Sequence, residues 1–283
     1  MDANELGLLL PLPTPNDDKY SRGTVGFVSG SDDYPGAALL GIAGAQATHP
    51  GFVRYVGPSR VCDLVVLSHP EVVVSTAPTG PAQAWVLGSG VAKSSTEQLG
   101  NIRTVLARNS VAVVDAGALD LIGEADLTAD AHLILTPHQG ELCRLLNRLA
   151  PTRVWHPELL DDAAQAEAAA TVAAEVTGQT VLLKGSTTLV VAANGEKVKI
   201  GPNSPWLATA GTGDVLAGIL GGIAAQNPEV AAVNWLDIAR LAVELHSQAA
   251  EIAAKGSTKG AGPVTASSVA SAVSQAISER FTR

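Results

Sequence analysis

The stretch "HLILTPHQGELCRLLNRLA", residues 132–150, joins two kinds of local structure. Its first part, "HLILTPH" (132–138), is a short apolar run that predicts a buried strand. Its second part, "GELCRLLNRLA" (140–150), has the composition and length of a helix. A strand followed directly by a helix is the repeating unit of parallel sheets, so the stretch predicts an α/β fold.

The same unit recurs on both sides of this stretch. Further apolar runs predict strands at 24–30, 52–57, 62–68, 84–90, 111–117 and 180–185. Helices are expected at 35–48, 157–177, 213–226, 231–254 and 266–280. Near-continuous apolar strands with helices between them are typical of a parallel sheet that is buried on both faces. We therefore expect residues 1–283 to form one α/β domain.

Two later segments depart from this alternation. "TTLVVAANGEKVKIG" (187–201) has two strand-like runs around Asn194-Gly195, which is a strong hairpin signal. "KGSTKGAG" (255–262) is expected to be a loop between two helices. The sequence thus predicts a mainly parallel sheet that ends in a late β-hairpin.

Composition excludes several classes of protein. The net charge of −9 disfavours a nucleic-acid partner, because phosphate binding needs a basic surface. No apolar run reaches the ~20 residues that a membrane span needs. The two cysteines, Cys62 and Cys143, lie far apart, which indicates a reducing compartment. The N-terminus lacks the basic residues of a signal peptide, so we expect a cytoplasmic protein.

Chemically suggestive residues follow the predicted strands. Asp115 ends one strand, His138 follows another, and Lys184 with Gly185 ends a third. Ligands of open α/β sheets bind outside the carboxyl ends of the strands. If the sheet is parallel, these residues gather along one edge.

The stretch "WLATAGTGDVLAGIL" (206–220) places Gly211, Gly213 and Gly218 around one acid, Asp214. A helix N-terminus carries free N–H groups, and glycines before it let the backbone wrap closely around an anion. The simpler interpretation is a turn with an acid in the first helical turn. The functional interpretation is a phosphate cradle in which Asp214 acts as general base. No Walker-type loop, dinucleotide fingerprint or metal-ligand cluster occurs in the chain.

The other candidates also have structural interpretations. His138 could be a solvated loop residue, with Glu141 as an ordinary acid of the first helical turn. Lys184 could be a surface lysine at a turn, or it could meet a phosphate. Asp115 is more often a helix cap than a catalytic residue at such a position.

Taken in order, several motifs together resemble one family. They are "GSDDYPGAALL", "WVLGSG", "VAVVDAGAL", "LTPHQGE", "VLLKGSTT" and "LATAGTGDVLAGIL". Together they resemble the ADP/ATP-dependent NAD(P)H-hydrate dehydratases of the ribokinase-like superfamily, from about residue 20 to about residue 275. The resemblance implies a three-layer αβα fold. It also implies that ADP or ATP, with Mg²⁺, drives the repair of hydrated NADH or NADPH.

The resemblance also assigns roles to matching positions of this chain. Asp214 would be the catalytic base, and no residue would be a dedicated metal ligand. The anion hole would be Gly211, Thr212 and Gly213. The substrate contacts would be Ala37, Gly90, His138 and Asp214, and the nucleotide contacts Lys184, Gly185, Ser186, Thr187, Thr188 and Gly213. Two motifs depart from the family pattern: "LGSGVA" (87–92) lacks a proline and a final glycine, and Gln139 replaces a proline in the histidine motif.

The resemblance bears on partners as well. Relatives assemble as homotetramers, and many carry a fused epimerase domain. This chain has no room for that domain, so we expect a stand-alone dehydratase with a separate epimerase. Two alternatives remain: a small-molecule alcohol kinase of the same superfamily, such as hydroxyethylthiazole kinase, and a nucleotide-binding protein without turnover.

Overall fold

One nine-stranded sheet runs through the protein in a computed structural model that describes residues 3–108, 110–124, 131–255 and 262–281. Its spatial order is β3-β2-β1-β4-β5-β6-β7-β8-β9. The strands are β1 Thr24–Val28, β2 Phe52–Val56, β3 Val73–Ser75, β4 Ala84–Leu87, β5 Val111–Val114, β6 His132–Leu135, β7 Thr180–Leu183, β8 Thr188–Val191 and β9 Lys197–Ile200.

Helices cover both faces of this sheet. One apolar core includes α2, α3, α7, α9 and α10, and a second core on the opposite face includes α4, α5 and α6. The helices are α1 Ala3–Gly7, α2 Gly36–Gln46, α3 Ser59–Ser68, α4 Thr96–Leu106, α5 Gln139–Leu149, α6 Ala163–Thr177, α7 Thr212–Gln226, α8 Pro228–Val233, α9 Trp235–Lys255 and α10 Ala266–Phe281. The predicted three-layer αβα architecture is confirmed. None of the described helices combines the length and apolar character of a membrane span.

The sheet is parallel from β3 through β7 and antiparallel beyond it. The antiparallel part is the predicted hairpin, in which Gly195 adopts φ 86°. Strand order reverses at β1, since the chain continues to β2 on one side and later returns to β4 on the other. Such a reversal opens a ligand crevice at the carboxyl ends of the two strands. Here that crevice lies between the segments that follow Val28 and Leu87.

The predicted strand at 62–68 is wrong, because this run lies within helix α3. Val61, Cys62 and Val65 are buried at helical spacing, whereas Leu67 is 81% exposed. A short apolar run fits a buried strand and a helix equally well, and here helical packing against the core decides. The strand at this edge of the sheet is β3, which the sequence analysis missed.

Two long helices are interrupted. The one expected at 157–177 begins as a 3₁₀ turn, Pro157–Asp161, and α6 follows, capped by Asp162, which accepts from the N–H groups of Ala164 and Gln165. The one expected at 231–254 is divided into α8 and α9 at Asn234. Most of the loop expected at 255–262 lies outside the described residues. A single domain for the whole chain stays a prediction.

Helices α2 and α7 touch through their backbones. A Cβ on Gly218 would lie 1.9 Å from the Gly41 carbonyl oxygen, and one on Gly44 would lie 2.5 Å from the Val215 carbonyl oxygen. Gly218 is therefore a packing residue, although the sequence analysis grouped it with the glycines of a phosphate cradle. This close contact fixes the N-terminus of α7 beside α2.

We expect Gly218→Ala to lower the free energy of unfolding by about 1–3 kcal/mol, because overpacking forces the two helices apart. Gly100 in α4 is the matched control, since a Cβ there meets no atom within 4 Å. Gly100→Ala should be neutral or stabilise by up to about 1 kcal/mol. Urea unfolding of both variants measures the difference. Equal effects at the two positions would contradict the close helix contact.

Candidate active site

A buried ion pair lies at the carboxyl ends of the central strands. Asp115 follows β5 and Lys184 follows β7, and Lys184 Nζ is 2.7 Å from Asp115 Oδ1. Ser89 Oγ donates to Asp115 Oδ2 at 2.8 Å, and Thr136 Oγ1 donates to Oδ1 at 2.9 Å. The segments after four neighbouring strands, β4 to β7, thus meet at one carboxylate, as the parallel sheet predicts.

This pair overturns two structural interpretations made from the sequence. Asp115 precedes a 3₁₀ helix, Ala116–Leu121, but its side chain makes no capping hydrogen bond. Both of its oxygens are taken by Lys184, Ser89 and Thr136, which lie far away in sequence. Lys184 is not a surface lysine either, because its side chain is only 22% exposed.

Both members of the pair are charged. Burial tends to raise the pKa of Asp115, but the Lys184 charge and three hydrogen bonds outweigh it and hold that pKa below its ordinary value. Burial tends to lower the pKa of Lys184, but the charges of Asp115, Glu141 and Asp214 raise it above its ordinary value. The strand ends therefore hold a fixed pair of opposite charges near Asp214.

Asp214 lies in the first turn of α7, and its carboxylate accepts no hydrogen bond from the described residues. Burial, reinforced by the Asp115 charge and partly offset by Lys184, raises the pKa of Asp214 to about 6. A carboxylate without partners and with a pKa near neutrality is suited to accept a proton. Asp214 is thus the side chain in this cluster that can act as a base.

The loop that leads into α7 is held in place. Gly211 adopts φ 90°, and a Cβ there would lie 2.5 Å from Leu40 Cδ1 of α2. Thr212 Oγ1 donates to the carbonyl oxygens of Leu207 at 2.8 Å and Thr209 at 2.9 Å. The N–H groups of Gly213 and Asp214 precede the first intrahelical bond, so they are free to bind an anion.

A cavity of about 650 Å³ opens beside this helix N-terminus. Its polar wall includes Lys184, Gly185, Ser186, Thr188, Thr212 and Gly213, and its apolar wall includes Leu207, Leu216 and Val243. Thr187 belongs to the same predicted run, but it is exposed and does not line the cavity. The structure thus gathers most of the residues predicted to contact a nucleotide.

His138 lines the same cavity and caps helix α5. Its Nδ1 accepts from the Gly140 N–H at 3.0 Å, and the His138 N–H donates to Glu141 Oε2 at 2.9 Å. The His138 side chain is 56% exposed, so the outer edge of the ring is solvated, as expected for a loop residue. Because Nδ1 acts as an acceptor, the proton of the neutral ring lies on Nε2. The Nε2–H can donate to a ligand or to Glu141 Oε1, which is 3.5 Å away.

Ala37 and Gly90 meet at the crevice between β1 and β4. Gly90 adopts φ 67°, and a Cβ on it would lie 2.5 Å from Ala37 Cβ. On the α7 side, a Cβ on Gly41, one turn after Ala37, would lie 3.5 Å from the Asp214 carbonyl oxygen. The predicted site residues thus form two groups, one in the crevice and one in the cavity, with the start of α7 between them.

The family model described as NAD(P)H-hydrate dehydratase matches residues 25–273, which include every residue of both groups. The chain belongs to the NAD(P)H-hydrate dehydratase family. The "Bifunctional NAD(P)H-hydrate repair enzyme Nnr" of Mycobacterium tuberculosis is 38% identical over 234 residues, covering 80% of this chain and 46% of that protein. The chain thus spans about half the length of such curated relatives. An "ADP-dependent (S)-NAD(P)H-hydrate dehydratase" of Xanthomonas campestris is 30% identical, covering 76% of this chain and 77% of that protein.

Solved structures agree with this family membership. The ADP/ATP-dependent NAD(P)H-hydrate dehydratase of Bacillus subtilis, co-crystallised with ATP/Mg²⁺, has a TM-score of 0.78 and 25% identity, covering 98% of this chain and 97% of that one. A ribokinase of Cryptococcus neoformans (TM-score 0.55, 14% identity, covering 90% and 99%) shows the fold alone. A hydroxyethylthiazole kinase of Pyrococcus horikoshii also shows the fold alone. Its TM-score is 0.62 and its identity 14%, covering 98% of this chain and 92% of that one. The predicted ribokinase-like fold is confirmed.

In this member of the dehydratase family, one buried residue beside the cavity escaped the sequence analysis. His246 lies in the middle of α9, is 5% exposed and forms a hydrogen bond to the backbone of Thr212. The available signal was a lone histidine among apolar residues of a helix. Such a residue is usually part of the core, so the sequence alone does not single it out.

Proposed function

We propose that this protein uses ADP or ATP to dehydrate the S epimer of hydrated NADH or NADPH, and so restores the intact cofactor. The observation that carries the proposal is the unpaired Asp214 carboxylate at the N-terminus of α7, between the crevice and the cavity. Membership of the dehydratase family supports this assignment over other reactions of the same fold.

The two groups of residues correspond to two ligands. The nucleotide would occupy the cavity against Lys184, Gly185, Ser186 and Thr188. Its terminal phosphate would meet the anion hole of Gly211, Thr212 and Gly213, where helix N–H groups and the Lys184 charge favour an anion. The hydrated cofactor would enter the crevice against Ala37 and Gly90 and extend to His138 on the wall of the cavity, with its C6 hydroxyl directed toward Asp214.

The chemistry then follows from the geometry. Asp214 accepts the proton of the C6 hydroxyl, and the hydroxyl oxygen bonds to the terminal phosphorus of the nucleotide. The bond that joins this phosphorus to the rest of the nucleotide breaks. The anion hole and Lys184 stabilise the charge on the phosphoryl oxygens, which is the main requirement of phosphoryl transfer. The C6–O bond next breaks, the oxygen leaves as part of inorganic phosphate, and C5 releases a proton to solvent, which forms the C5–C6 double bond. The products are NADH or NADPH, inorganic phosphate and the shortened nucleotide.

The site is compatible with a Mg²⁺ ion that the nucleotide carries in, instead of one held by a protein cluster. The described residues hold no group of three or more His, Cys, Asp or Glu that could bind a metal ion. Asp115 is engaged by Lys184, Ser89 and Thr136, whereas the Asp214 carboxylate accepts no hydrogen bond from the described residues. Mg²⁺ in such sites uses one or two carboxylates together with phosphates and waters. The ion would neutralise charge on the phosphates.

An alcohol kinase is the second candidate, because the same helix N-terminus could phosphorylate a hydroxyl and stop there. The two are separated by incubating the protein with hydrated NADH and either ADP or ATP and following NADH absorbance. Its return supports the dehydratase and identifies the donor. No return, together with phosphorylation of a thiazole alcohol, would reverse the assignment. A nucleotide-binding protein without turnover would do neither, and it would have no use for a free Asp214.

Activity should fall in acid. The base acts as the ionised carboxylate, and burial raises the pKa of Asp214 to about 6. The value of kcat/KM should therefore be constant above that pH and fall about tenfold per pH unit below it. A pH series of initial rates, at a pH range over which the protein stays folded, measures this. Full activity maintained at pH 4.5 would contradict Asp214 as the base.

Three further expectations stay predictions. They are a cytoplasmic location, assembly as a homo-oligomer, which is a tetramer by resemblance, and an epimerase on a separate chain. The ADP or ATP preference is decided by the assay above.

A further inference from the structure

His246 carries a hydrogen-bonding atom without a partner and belongs to the lining of the cavity. The side chain is 5% exposed, belongs to the lining of the cavity of about 650 Å³, and its Nε2 is buried without a partner. Buried polar atoms are nearly always hydrogen-bonded, so an exception beside a binding cavity requires an explanation.

The hydrogen bond to Thr212 determines what this atom can do. That bond favours the protonated ring, so the ring donates to the Thr212 carbonyl oxygen. Since Nε2 has no partner, the donor is Nδ1. Burial lowers the pKa of His246 to about 4, and the ring is neutral at working pH. With its single proton on Nδ1, the ring presents Nε2 as a bare acceptor.

Apolar side chains line the cavity near His246. Val243 lies one turn before His246 in α9, and Leu216 lies one turn after Thr212 in α7. Both line the cavity, as does Leu207, and they provide apolar walls of the kind that a flat base packs against.

We propose that His246 determines base specificity: its Nε2 accepts a hydrogen bond from the exocyclic 6-amino group of adenine. A purine without that amino group would leave Nε2 unpaired and would bind more weakly. The inference rests on the proposed function only in taking the cavity as the nucleotide site.

The test measures equilibrium binding without turnover, using ADP, purine riboside 5′-diphosphate, 2′-deoxy-ADP and pyrophosphate. Purine riboside diphosphate lacks only the 6-amino group of ADP. The wild-type protein should bind it about tenfold more weakly than ADP, the effect of one buried acceptor left unpaired. Equal affinity for the two would overturn the proposal, and this comparison needs no variant. A loss with 2′-deoxy-ADP instead would move the contact to the ribose and also overturn it.

Two variants separate base reading from a structural role. His246→Asn keeps an amide donor near the position of Nδ1, so it can retain the Thr212 bond, but it lacks Nε2. It should bind ADP and purine riboside diphosphate with equal affinity, with pyrophosphate binding unchanged. His246→Gln places an amide oxygen near Nε2 and should restore part of the discrimination. A uniform loss for all four probes in His246→Asn would show that the ring only supports the loop before α7, and would overturn the proposal.

The outcome is independent of the reaction. If the protein discriminates adenine as described but does not restore NADH, the proposed function fails and the inference stands. If NADH is restored but the 6-amino group has no effect on affinity, the inference fails and the proposed function stands.

Discussion

Replacing Asp214 with asparagine should lower kcat with hydrated NADH by about 10²–10⁴-fold, the range that a positioned general base contributes. The change removes the proton acceptor and keeps the shape. Stability should not fall, because the carboxylate accepts no hydrogen bond and its raised pKa shows that burial disfavours its charge. ADP binding should persist, since Asp214 is expected to face the hydroxyl of the other substrate.

Asp63→Asn is the matched control, since Asp63 is an exposed acid on α3, apart from the site. Steady-state kinetics, thermal unfolding and ADP binding should be compared for the wild type and the two variants. Normal turnover by Asp214→Asn would refute the mechanism. Loss of turnover together with loss of folding would instead make Asp214 a structural residue.

Lys184→Met should lower the free energy of unfolding by about 3–5 kcal/mol, because it leaves a buried carboxylate without its partner. Asp115 is 3% exposed, and its pKa is held down chiefly by Lys184 against the effect of burial. Activity should be lost as well, since Lys184 supplies the positive charge beside Asp214 and the anion hole.

The double variant Asp115→Asn/Lys184→Met separates the two effects. It removes both charges, so stability should recover most of the loss, while activity should not return. Urea unfolding of the wild type, both single variants and the double variant completes the cycle. Strictly additive losses of stability would contradict a coupled ion pair at the strand ends.

Local pattern predicted much of the fold. Runs such as 132–138 and 180–185 predict strands, because β-rich apolar segments bounded by polar residues usually form buried strands. Asn194-Gly195 predicted the hairpin because few sequences favour such a tight turn. The run 62–68 was misread because its length and composition suit either structure. What decides is which side chains the core buries, and that depends on elements distant in sequence.

The sequence predicted which residues form the site, but not the contacts between them. Asp214, Lys184 and His138 were identifiable by residue type at strand ends and at a helix start. The contact between Asp115 and Lys184 joins residues 69 positions apart, so no local spacing shows it. Gly218 was misassigned because a glycine that permits helix contact looks the same in sequence as one that wraps an anion. His246 was missed because its significance depends on Nε2 having no hydrogen-bond partner, and sequence alone does not show hydrogen bonds.

The central claim is that phosphorylation of the hydrated cofactor leads to elimination. It is tested most directly by measuring NADH and inorganic phosphate in the same reaction, started with hydrated NADH and either ADP or ATP. We predict equal amounts of NADH and phosphate, with one nucleotide shortened for each NADH formed. Consumption of nucleotide with a stable phosphorylated product and no NADH would contradict the account, as would recovery of NADH without consumption of nucleotide.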